Sequence, residues 1–336
     1  MGAQMTPLAD AHGRRIHYLR MSITDHCNLS CVYCSPLGGR KQLPRAEILS
    51  CEELLRVAEA GARTGITKVR ITGGEPLLRR GVVRLCRQIG ELRGMANVSV
   101  TTNGVFLGEL AEPLFAAGVR GINVSLDTVQ PEKFKRITGH DLLSRVLSGI
   151  TRAEETGFTP LKINMVVMRG VNDDEVADLA RFTLTRPWHV RFIELMPTAG
   201  GHFDNHGSRF VPVEEILKQV KKVGELSLEP AGPSSGPARL CSLPGAPGKI
   251  GFIAATSWHI CGSCNRLRLT ADGKLRSCLF SDEEVDIKGP LRAGASIEEL
   301  AAVFHLAAAK KPSRNPQKDT TGRLWQSARA MRAIGG

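Results

Sequence analysis

The alternation of strand and helix patterns up to about Met196 constrains the fold of this chain more than any other feature. Short apolar runs rich in β-branched residues alternate there with amphipathic stretches of helical periodicity. Strands are predicted at Tyr18–Ile23, Val69–Thr72, Val98–Thr101, Gly121–Leu126, Leu161–Val167 and Val190–Leu195. Helices are predicted at Glu52–Ala62, Leu77–Leu92, Leu107–Ala117, Leu142–Thr156 and Asp174–Phe182. Six such α/β units with right-handed crossovers form either an open doubly wound sheet or an incomplete (β/α)6 barrel, and periodicity does not choose between them.

The composition changes after Glu229, where the chain becomes rich in proline, glycine and serine. Ala231–Pro237 and Pro244–Gly248 have the character of loops or linkers. We therefore expect a large α/β domain at residues 1–229 and a small mixed domain at residues 230–336. The elements predicted in the small domain are a hairpin with strands at Leu267–Thr270 and around Leu275, and a helix at Ser296–Ala309 with Ser296 as its N-cap.

The chain of 336 residues is basic, with 45 Lys and Arg against 33 Asp and Glu and a formal net charge of +12. This charge attracts anions, including nucleotides, nucleic acids and anionic lipids. The basic residues are scattered, and two Tyr and three Trp offer few rings for base stacking, which disfavours a nucleic-acid platform. No apolar run reaches the roughly 18 residues of a membrane helix and no signal peptide is evident, so we expect a cytoplasmic protein without membrane contact. Its nine cysteines are then reduced, and clustered thiols indicate metal or redox chemistry.

Three of these cysteines form the pattern C-x3-C-x2-C directly after the first predicted strand. Cys27, Cys31 and Cys34 lie within eight residues, and soft thiolate ligands select zinc, copper or iron–sulfur clusters. A trio on one loop can hold three corners of a [4Fe–4S] cluster and leave the fourth iron open. The alternative is a zinc knuckle with His26 or a distant residue as fourth ligand, although zinc sites usually pair C-x2-C elements.

The spacing of this first trio, with an aromatic residue before its last cysteine, resembles the signature of radical S-adenosylmethionine (SAM) enzymes. The resemblance implies an incomplete TIM-like barrel and a [4Fe–4S] cluster whose open iron chelates SAM. It further implies that reductive cleavage of SAM yields a 5′-deoxyadenosyl radical, with the protein supplying binding and orientation. The residues that match SAM-contacting positions of the family are Tyr33, Gly74 within Gly73-Gly-Glu-Pro76, Ser125 and Met196.

A second trio, Cys261, Cys264 and Cys278, has the spacing C-x2-C-x13-C in the predicted small domain. Zinc is a more serious alternative at this site, because the arrangement is ribbon-like and His259 or Cys241 is available as a fourth ligand. An iron–sulfur cluster with one open iron is the other interpretation. The residue types alone leave both open.

The residues between these thiols are similar to those of the GTP 3′,8-cyclases of molybdenum cofactor biosynthesis, and the resemblance covers about Leu19 to Gly336 with gaps. Arg266 and Arg268 lie on one face of a predicted strand, and guanidinium groups fit phosphate oxygens. The resemblance implies a second [4Fe–4S] cluster on Cys261, Cys264 and Cys278 that binds the guanine of GTP. The residues it implies for GTP contact are Arg20, Arg70, Thr101, Lys162, Arg266 and Arg268. Catalytic roles are implied for Arg20, Arg266, Arg268 and the terminal Gly335 and Gly336, which match a double-glycine tail that reaches the active site.

The reaction implied by the family begins with hydrogen abstraction from C3′ of the GTP ribose. The C3′ radical adds to C8 of guanine, and one electron and a proton complete (8S)-3′,8-cyclo-7,8-dihydroguanosine 5′-triphosphate. The resemblance also implies a pathway partner that converts this product to cyclic pyranopterin monophosphate, a reductant protein, and a homodimer. Holding C3′ near both the radical and C8 is chiefly a problem of orientation.

Some features match no role. Ser35-Pro36 departs from the family pattern after the first trio, and Pro197–Phe210 receives no assignment. Cys51 and Cys86 are predicted to be small core residues, and Cys241 belongs to neither trio. Two rival interpretations are a radical SAM enzyme that acts on a peptide or another small molecule, and a zinc protein that binds RNA through its charge.

Overall fold

The computed structural model describes residues 7–34, 42–197, 206–230, 232, 236–258, 261–314, 327, 329 and 331–335. Within these ranges all six predicted strands are confirmed, with ends that shift by at most one residue. They are β1 (Tyr18–Ser22), β2 (Lys68–Thr72), β3 (Asn97–Thr102), β4 (Gly121–Ser125), β5 (Lys162–Val167) and β6 (His189–Glu194). Ser35, Pro36 and the middle of Pro197–Phe210 lie outside the described residues.

The six strands are parallel and lie side by side in the order of the sequence. A doubly wound sheet reverses its strand order at a switch point, whereas consecutive right-handed crossovers place every helix on the same face of the sheet. The observed order therefore selects the incomplete (β/α)6 barrel from the two predicted folds. The sheet is open, and further strands extend it at both edges.

The C-terminal part of the chain contributes these additional strands to the same sheet. They are β7 (Ser227–Leu228), β8 (Arg239–Ser242), β9 (Lys249–Ile253), β10 (Arg266–Leu269), β11 (Lys274–Arg276) and β12 (Glu284–Asp286). β9 pairs in parallel with β6, and β10 pairs in parallel with β1, so one 12-stranded sheet runs through the described chain. The predicted hairpin is confirmed as β10–β11. The boundary at residues 229/230 stays a prediction.

Ten helices accompany the sheet in the described ranges: α1 (Cys51–Arg63), α2 (Val82–Gly90), α3 (Leu107–Ala116), α4 (Pro131–Thr138), α5 (Leu143–Thr156), α6 (Val176–Arg181), α7 (His206–Arg209), α8 (Val213–Val220), α9 (Lys288–Arg292) and α10 (Ile297–Ala309). Ser50 and Ser296 close capping boxes with Glu53 and Glu299, which confirms Ser296 as an N-cap. α1 and α10 pack closely, since a Cβ on Gly61 would lie 3.2 Å from the ring of Phe304.

One helix prediction differs from the structure, and some helices were not predicted. A single helix over Leu77–Leu92 was wrong, because Gly81 takes a left-handed φ of +82° that separates a short 3-10 turn, Pro76–Leu78, from α2. The helix α4 was not predicted, although Pro131 at its first turn and Gly139 at its C-cap are typical helix boundaries.

The two faces of the parallel sheet differ in polarity. Successive strand residues point to opposite faces, and the apolar ones, such as Leu19, Val69 and Ile163, are buried in the main hydrophobic core. The alternate positions are polar: Arg20 lies opposite Arg70, Asn123 lies opposite Lys162. The barrel-like sheet therefore has an apolar outer face under its helices and a polar inner face.

Candidate active site

The polar inner face of the sheet carries a concentration of positive charge. Lys68 and Arg70 on β2 and Arg191 on β6 lie close enough to Lys162 on β5 for their positive charges to act on it. Burial and these neighbours lower the pKa of Lys162 to about 7. Burial likewise lowers the pKa of Arg191 to about 10, with Arg70 adding to the effect. Among the described residues, no carboxylate pairs with Lys162 or Arg191 on this face, which is the electrostatic character of a polyanion site.

Several buried polar atoms of this face have no hydrogen-bond partner among the described residues. Buried polar groups are nearly always paired in folded proteins, so a cluster of unpaired ones indicates a place for a polar ligand or water. The unpaired atoms on the inner face are Nε of Arg70, Oγ1 of Thr101, Oδ1 of Asn123, Oδ1 of Asn164, Nδ1 of His189 and Nε of Arg191. They come from five neighbouring strands and line one continuous surface.

The six residues predicted to contact GTP all belong to strands of this sheet and share the inner face. Arg20 pairs in register with Arg70 and Arg268, and Arg266 lies opposite Tyr18. Thr101 and Lys162 both lie opposite Asn123. Sequence analysis missed Lys68, Asn123, Asn164, His189 and Arg191, which lie on the same face. The alternation of β5 and β6 contained that signal, because Lys162, Asn164, His189 and Arg191 are polar residues at every second position.

The first cysteine trio lies on the loop that leaves the carboxyl end of β1, where the parallel strands converge. Cys27 and Cys31 are half-buried against the main core. Burial raises the pKa of the Cys31 thiol well above its usual value, and the nearby Asp127, Cys34 and Cys27 raise it further. The three sulfurs are therefore neighbours, and their mutual repulsion would be relieved by a cationic metal centre.

The segment Gly73-Gly-Glu-Pro76 packs directly against this cysteine loop. The Gly74 N–H donates to Thr24 O at 2.7 Å, and the Glu75 N–H donates to His26 O at 2.7 Å. A Cβ on Gly74 would lie 2.2 Å from His26 O, so only glycine allows the two backbones to approach. Burial raises the pKa of Glu75 to about 7 although its carboxyl accepts bonds from Leu77, Thr102 and Asn103.

The other residues predicted to contact SAM are dispersed around the same end of the sheet. Tyr33 is held by a 2.7 Å hydrogen bond from its hydroxyl to Asp127, whose second oxygen accepts from Val166 N at 2.8 Å. Ser125 lies opposite Asn164 at the carboxyl end of β4. Met196 lines the cavity beside the second cysteine trio. The SAM contacts stay predictions.

The second cysteine trio faces a cavity at the edge of the polar inner face. Cys261 and Cys264 precede β10, Cys278 follows β11, and the cavity is also lined by Arg266, Arg268 and Lys311. Burial opposes ionisation of Cys264, but the charges of Arg266 and Lys311 lower its pKa to about 6. Cys264 is therefore largely a thiolate at neutral pH, the form that binds metals. His259 lies outside the described residues, and Cys241 is buried on β8.

Neither trio is arranged around a single ion in the described part of the chain, where no group of three or more His, Cys, Asp or Glu side chains forms such a site. All nine cysteines are described and none forms a disulfide. The thiols of each trio are electrostatic neighbours, because Cys278 also feels Cys264 and Cys261. Three thiols in each trio are the type of donor that iron–sulfur clusters use.

The C-terminal tail enters the inner face beside two of the predicted arginines. Nε of Arg20 donates to Gly335 O at 3.2 Å, and Nη1 of Arg268 donates to the same oxygen at 3.3 Å. Gly335 has a left-handed φ of +80°, which favours glycine, and a Cβ there would lie 2.9 Å from Thr72. The tail therefore meets Arg20 and Arg268 on the inner face, and its catalytic role stays a prediction. Gly336 lies outside the described residues.

Comparison with known proteins matches two family models and several GTP 3′,8-cyclases to this chain. Residues 21–183 match the radical SAM superfamily, and residues 188–316 match the family described as molybdenum cofactor synthesis C. The GTP 3′,8-cyclase of Moorella thermoacetica is 46% identical over 329 residues, which are 98% of this chain and 100% of that protein. The GTP 3′,8-cyclase of Geobacter sulfurreducens is 49% identical over 84% of this chain and 86% of its own length.

Solved structures share the fold at lower sequence identity. The crystal structure of Streptococcus suis SuiB bound to S-adenosylmethionine aligns with a TM-score of 0.62 and 14% identity, covering 92% of this chain and 77% of SuiB. This likeness concerns the fold alone. None of the described helices combines the length and apolar character that a membrane span requires.

Proposed function

Since this chain belongs to the GTP 3′,8-cyclase family of radical SAM enzymes, we infer that it converts GTP to (8S)-3′,8-cyclo-7,8-dihydroguanosine 5′-triphosphate, the first step of molybdenum cofactor biosynthesis. The observation that carries the residue-level proposal is the polar inner face, where unpaired buried atoms and excess cations share one surface. GTP bound there is held by Arg20, Arg70, Thr101, Lys162, Arg266 and Arg268, with Lys68 and Arg191 as further cations.

The first trio is the proposed site of the radical chemistry. Cys27, Cys31 and Cys34 hold a [4Fe–4S] cluster, with Tyr33, Gly74, Ser125 and Met196 as SAM contacts. When bound, the cluster and SAM together supply the 5′-deoxyadenosyl radical that takes hydrogen from C3′ of GTP. The chain contributes a rigid loop, because the backbone bonds from Gly74 and Glu75 fix Thr24 and His26 directly before Cys27.

The cations of the inner face bind and orient the triphosphate. Lys162 has a pKa of about 7 among its positive neighbours, and an anion beside it favours the charged ammonium. The forked guanidinium donors of the arginines fit phosphate oxygens. Holding the phosphates on β2, β5 and β6 fixes the ribose relative to the end of the barrel, and such orientation contributes several kcal/mol to catalysis, roughly 7 in favourable cases.

Cys261, Cys264 and Cys278 are proposed to hold a second [4Fe–4S] cluster that binds the guanine. The thiolate character of Cys264 and the cavity shared with Arg266 and Arg268 support this assignment. The family relationship favours it over a zinc ribbon. Iron analysis of protein that lacks the first trio distinguishes the two, because a zinc site would contain no iron.

The tail and its two arginines are proposed to complete the catalytic site. Arg20 and Arg268 hold the Gly335 carbonyl on the inner face, and burial with Arg70 and Arg266 nearby lowers the pKa of Arg20 to about 10. Gly335 closes the space around the substrate, and the guanidinium groups of Arg20, Arg266 and Arg268 stabilise developing negative charge. A catalytic role for Gly336 is proposed from the family relationship alone.

The cellular setting is also proposed from the family relationship. A partner enzyme converts the cyclic product to cyclic pyranopterin monophosphate, a reductant protein supplies electrons, and the enzyme acts in the cytoplasm as a homodimer. The nine free cysteines are in accord with a reducing compartment.

Anaerobic turnover of the reconstituted protein with SAM, dithionite and GTP tests this function. Mass spectrometry should detect 5′-deoxyadenosine and the cyclic nucleotide together, and both should depend on GTP. Lys162→Met should abolish turnover at low GTP concentration, whereas Lys135→Met, on the exposed face of α4, should not change it. Formation of 5′-deoxyadenosine without a nucleotide product would support cleavage of SAM but contradict the conversion of GTP.

A further inference from the structure

The three cysteines of the second trio lie on two chain segments. Strand pairing does not join the cysteine-bearing ends of these two segments. Cys261 and Cys264 lie before β10, and Cys278 lies after β11. The pairing of these antiparallel strands is confined to Arg268 with Arg276 and Leu269 with Leu275, next to the turn. The cysteine-bearing ends extend beyond the last paired residues, so another contact must fix their separation.

Lys311 bridges these two segments from the chain that follows α10. Its ammonium group donates to Arg266 O at 2.8 Å and to Ser277 O at 2.6 Å. One carbonyl lies two residues after Cys264, and the other lies directly before Cys278. Lys311 is 4% exposed, and its charge lies near the sulfurs of Cys264 and Cys278. A buried lysine is costly unless its donors are bonded, so this position is specified by its partners.

Arg14 provides the matching connection for Cys261. Its Nη1 donates to Cys261 O at 2.7 Å, and its Nη2 donates to Pro312 O at 2.6 Å. Asp10 holds the guanidinium in place through Nε, and also accepts the backbone N–H of Arg14. Arg14 thus ties the first cysteine of the trio to the residue that follows Lys311.

We propose that Lys311 and Arg14 are positioning residues, here called the cation clamp, that set the separation of Cys261, Cys264 and Cys278 before any cluster binds. This inference rests on the proposed role of the trio as ligands of the second cluster. The clamp connects every cysteine-bearing segment to residues 311–313 and places a positive charge beside thiolates that would otherwise repel one another. Residues that orient metal ligands in this way typically change metal affinity by about 10- to 100-fold when removed.

Hydrogen exchange of the cluster-free full chain tests the clamp without relying on activity. Lys311→Met removes the ammonium at similar length, and Lys310→Met is the matched control, because Lys310 is exposed and pairs only with the exposed Glu283 among its described ion pairs. Amides near Cys264 and Cys278 should exchange about tenfold faster in Lys311→Met, since each lost buried bond shifts local opening by about that factor. Amides of β2–β5 should keep their wild-type rates, which shows that the fold survives.

Iron loading provides the second measurement, in protein whose first trio is replaced by alanine. Lys311→Met and Arg14→Gln should each bind the second cluster at least about tenfold more weakly, while Lys310→Met and Arg15→Gln load like the parent. The proposal would be overturned if Lys311→Met and Arg14→Gln both kept the hydrogen-exchange rates and the iron loading of the parent protein. If the parent itself binds no iron, the second cluster is refuted, and the exchange rates alone decide whether the clamp exists.

Discussion

Gly74→Ala is predicted to detach the first cysteine loop from the sheet. The new Cβ would lie 2.2 Å from His26 O, 2.5 Å from His26 C and 2.8 Å from Asp25 O, all of them backbone atoms that cannot move independently. Overpacking of this kind costs about 1–3 kcal/mol. The bonds from Gly74 N to Thr24 O and from Glu75 N to His26 O would be lost as well, at about 0.5–1.5 kcal/mol each.

The expected total of about 2–6 kcal/mol is a large share of the 5–15 kcal/mol by which domains are usually stable. Urea unfolding of the cluster-free protein measures this loss. Iron binding by Cys27, Cys31 and Cys34, measured after the second trio is replaced by alanine, should fall in parallel. Gly90→Ala is the control, because Gly90 is exposed near the end of α2 and alanine favours the helix. If Gly74→Ala were as stable as Gly90→Ala and bound as much iron, the backbone contact would not position the loop.

Three further predictions concern charge. The dissociation constant for GTP should rise from pH 7 to pH 9, by at most about tenfold per pH unit. The reason is that Lys162 in the free protein loses its proton near pH 7, whereas bound GTP favours the charged form. Binding titrations of Lys162→Met should lack this pH dependence. Burial raises the pKa of Asp127 from 3.8 to about 6, so the folded state binds more protons in that range and its contribution to the free energy of unfolding falls as pH rises towards 6. Urea unfolding of Asp127→Asn should show a smaller slope than the wild type, and the remainder comes from groups such as Glu75 whose pKa is also raised. Arg329→Gln should lower kcat by about tenfold or more without raising KM for GTP. Arg329 fixes the tail by donating to Asp272 and, at 2.7 Å, to Glu284. An unchanged kcat in steady-state assays would contradict this role.

The strands and most helices were predictable because their signals are local. Val69–Thr72 and Leu161–Val167 are β-branched runs, and Ser296 with Glu299 is a capping box that can be recognised without a structure. The pairing of β10 with β1 was not predictable, since Leu19 lies opposite Leu267 and no local pattern joins residues that far apart. The same holds for β9 with β6, so the continuous 12-stranded sheet could come only from tertiary structure.

The residues of the candidate site also divide into those that the sequence predicted and those that it did not. The cysteine trios were found from their spacing, whereas Gly73-Gly-Glu-Pro76 and the terminal glycines were identified only through their resemblance to motifs of the family. Lys68 and Arg191 have no motif, and a single cation in a strand is typical of a solvated face. The register, which brings Lys68 opposite Tyr18 and Arg191 opposite Asn164, places both on the inner face, and the polar alternation of β6 was a local signal for Arg191 alone. Lys311 was missed as well, because it belongs to no motif and its partners are backbone carbonyls.

Turnover of GTP deuterated at C3′ tests the central claim most directly. The inner face is expected to hold the ribose so that its C3′ hydrogen, and no other, is transferred during the reaction. The 5′-deoxyadenosine formed in anaerobic turnover with dithionite should therefore carry one deuterium per molecule in its mass spectrum. Nucleotide product formed with unlabelled 5′-deoxyadenosine would contradict the account.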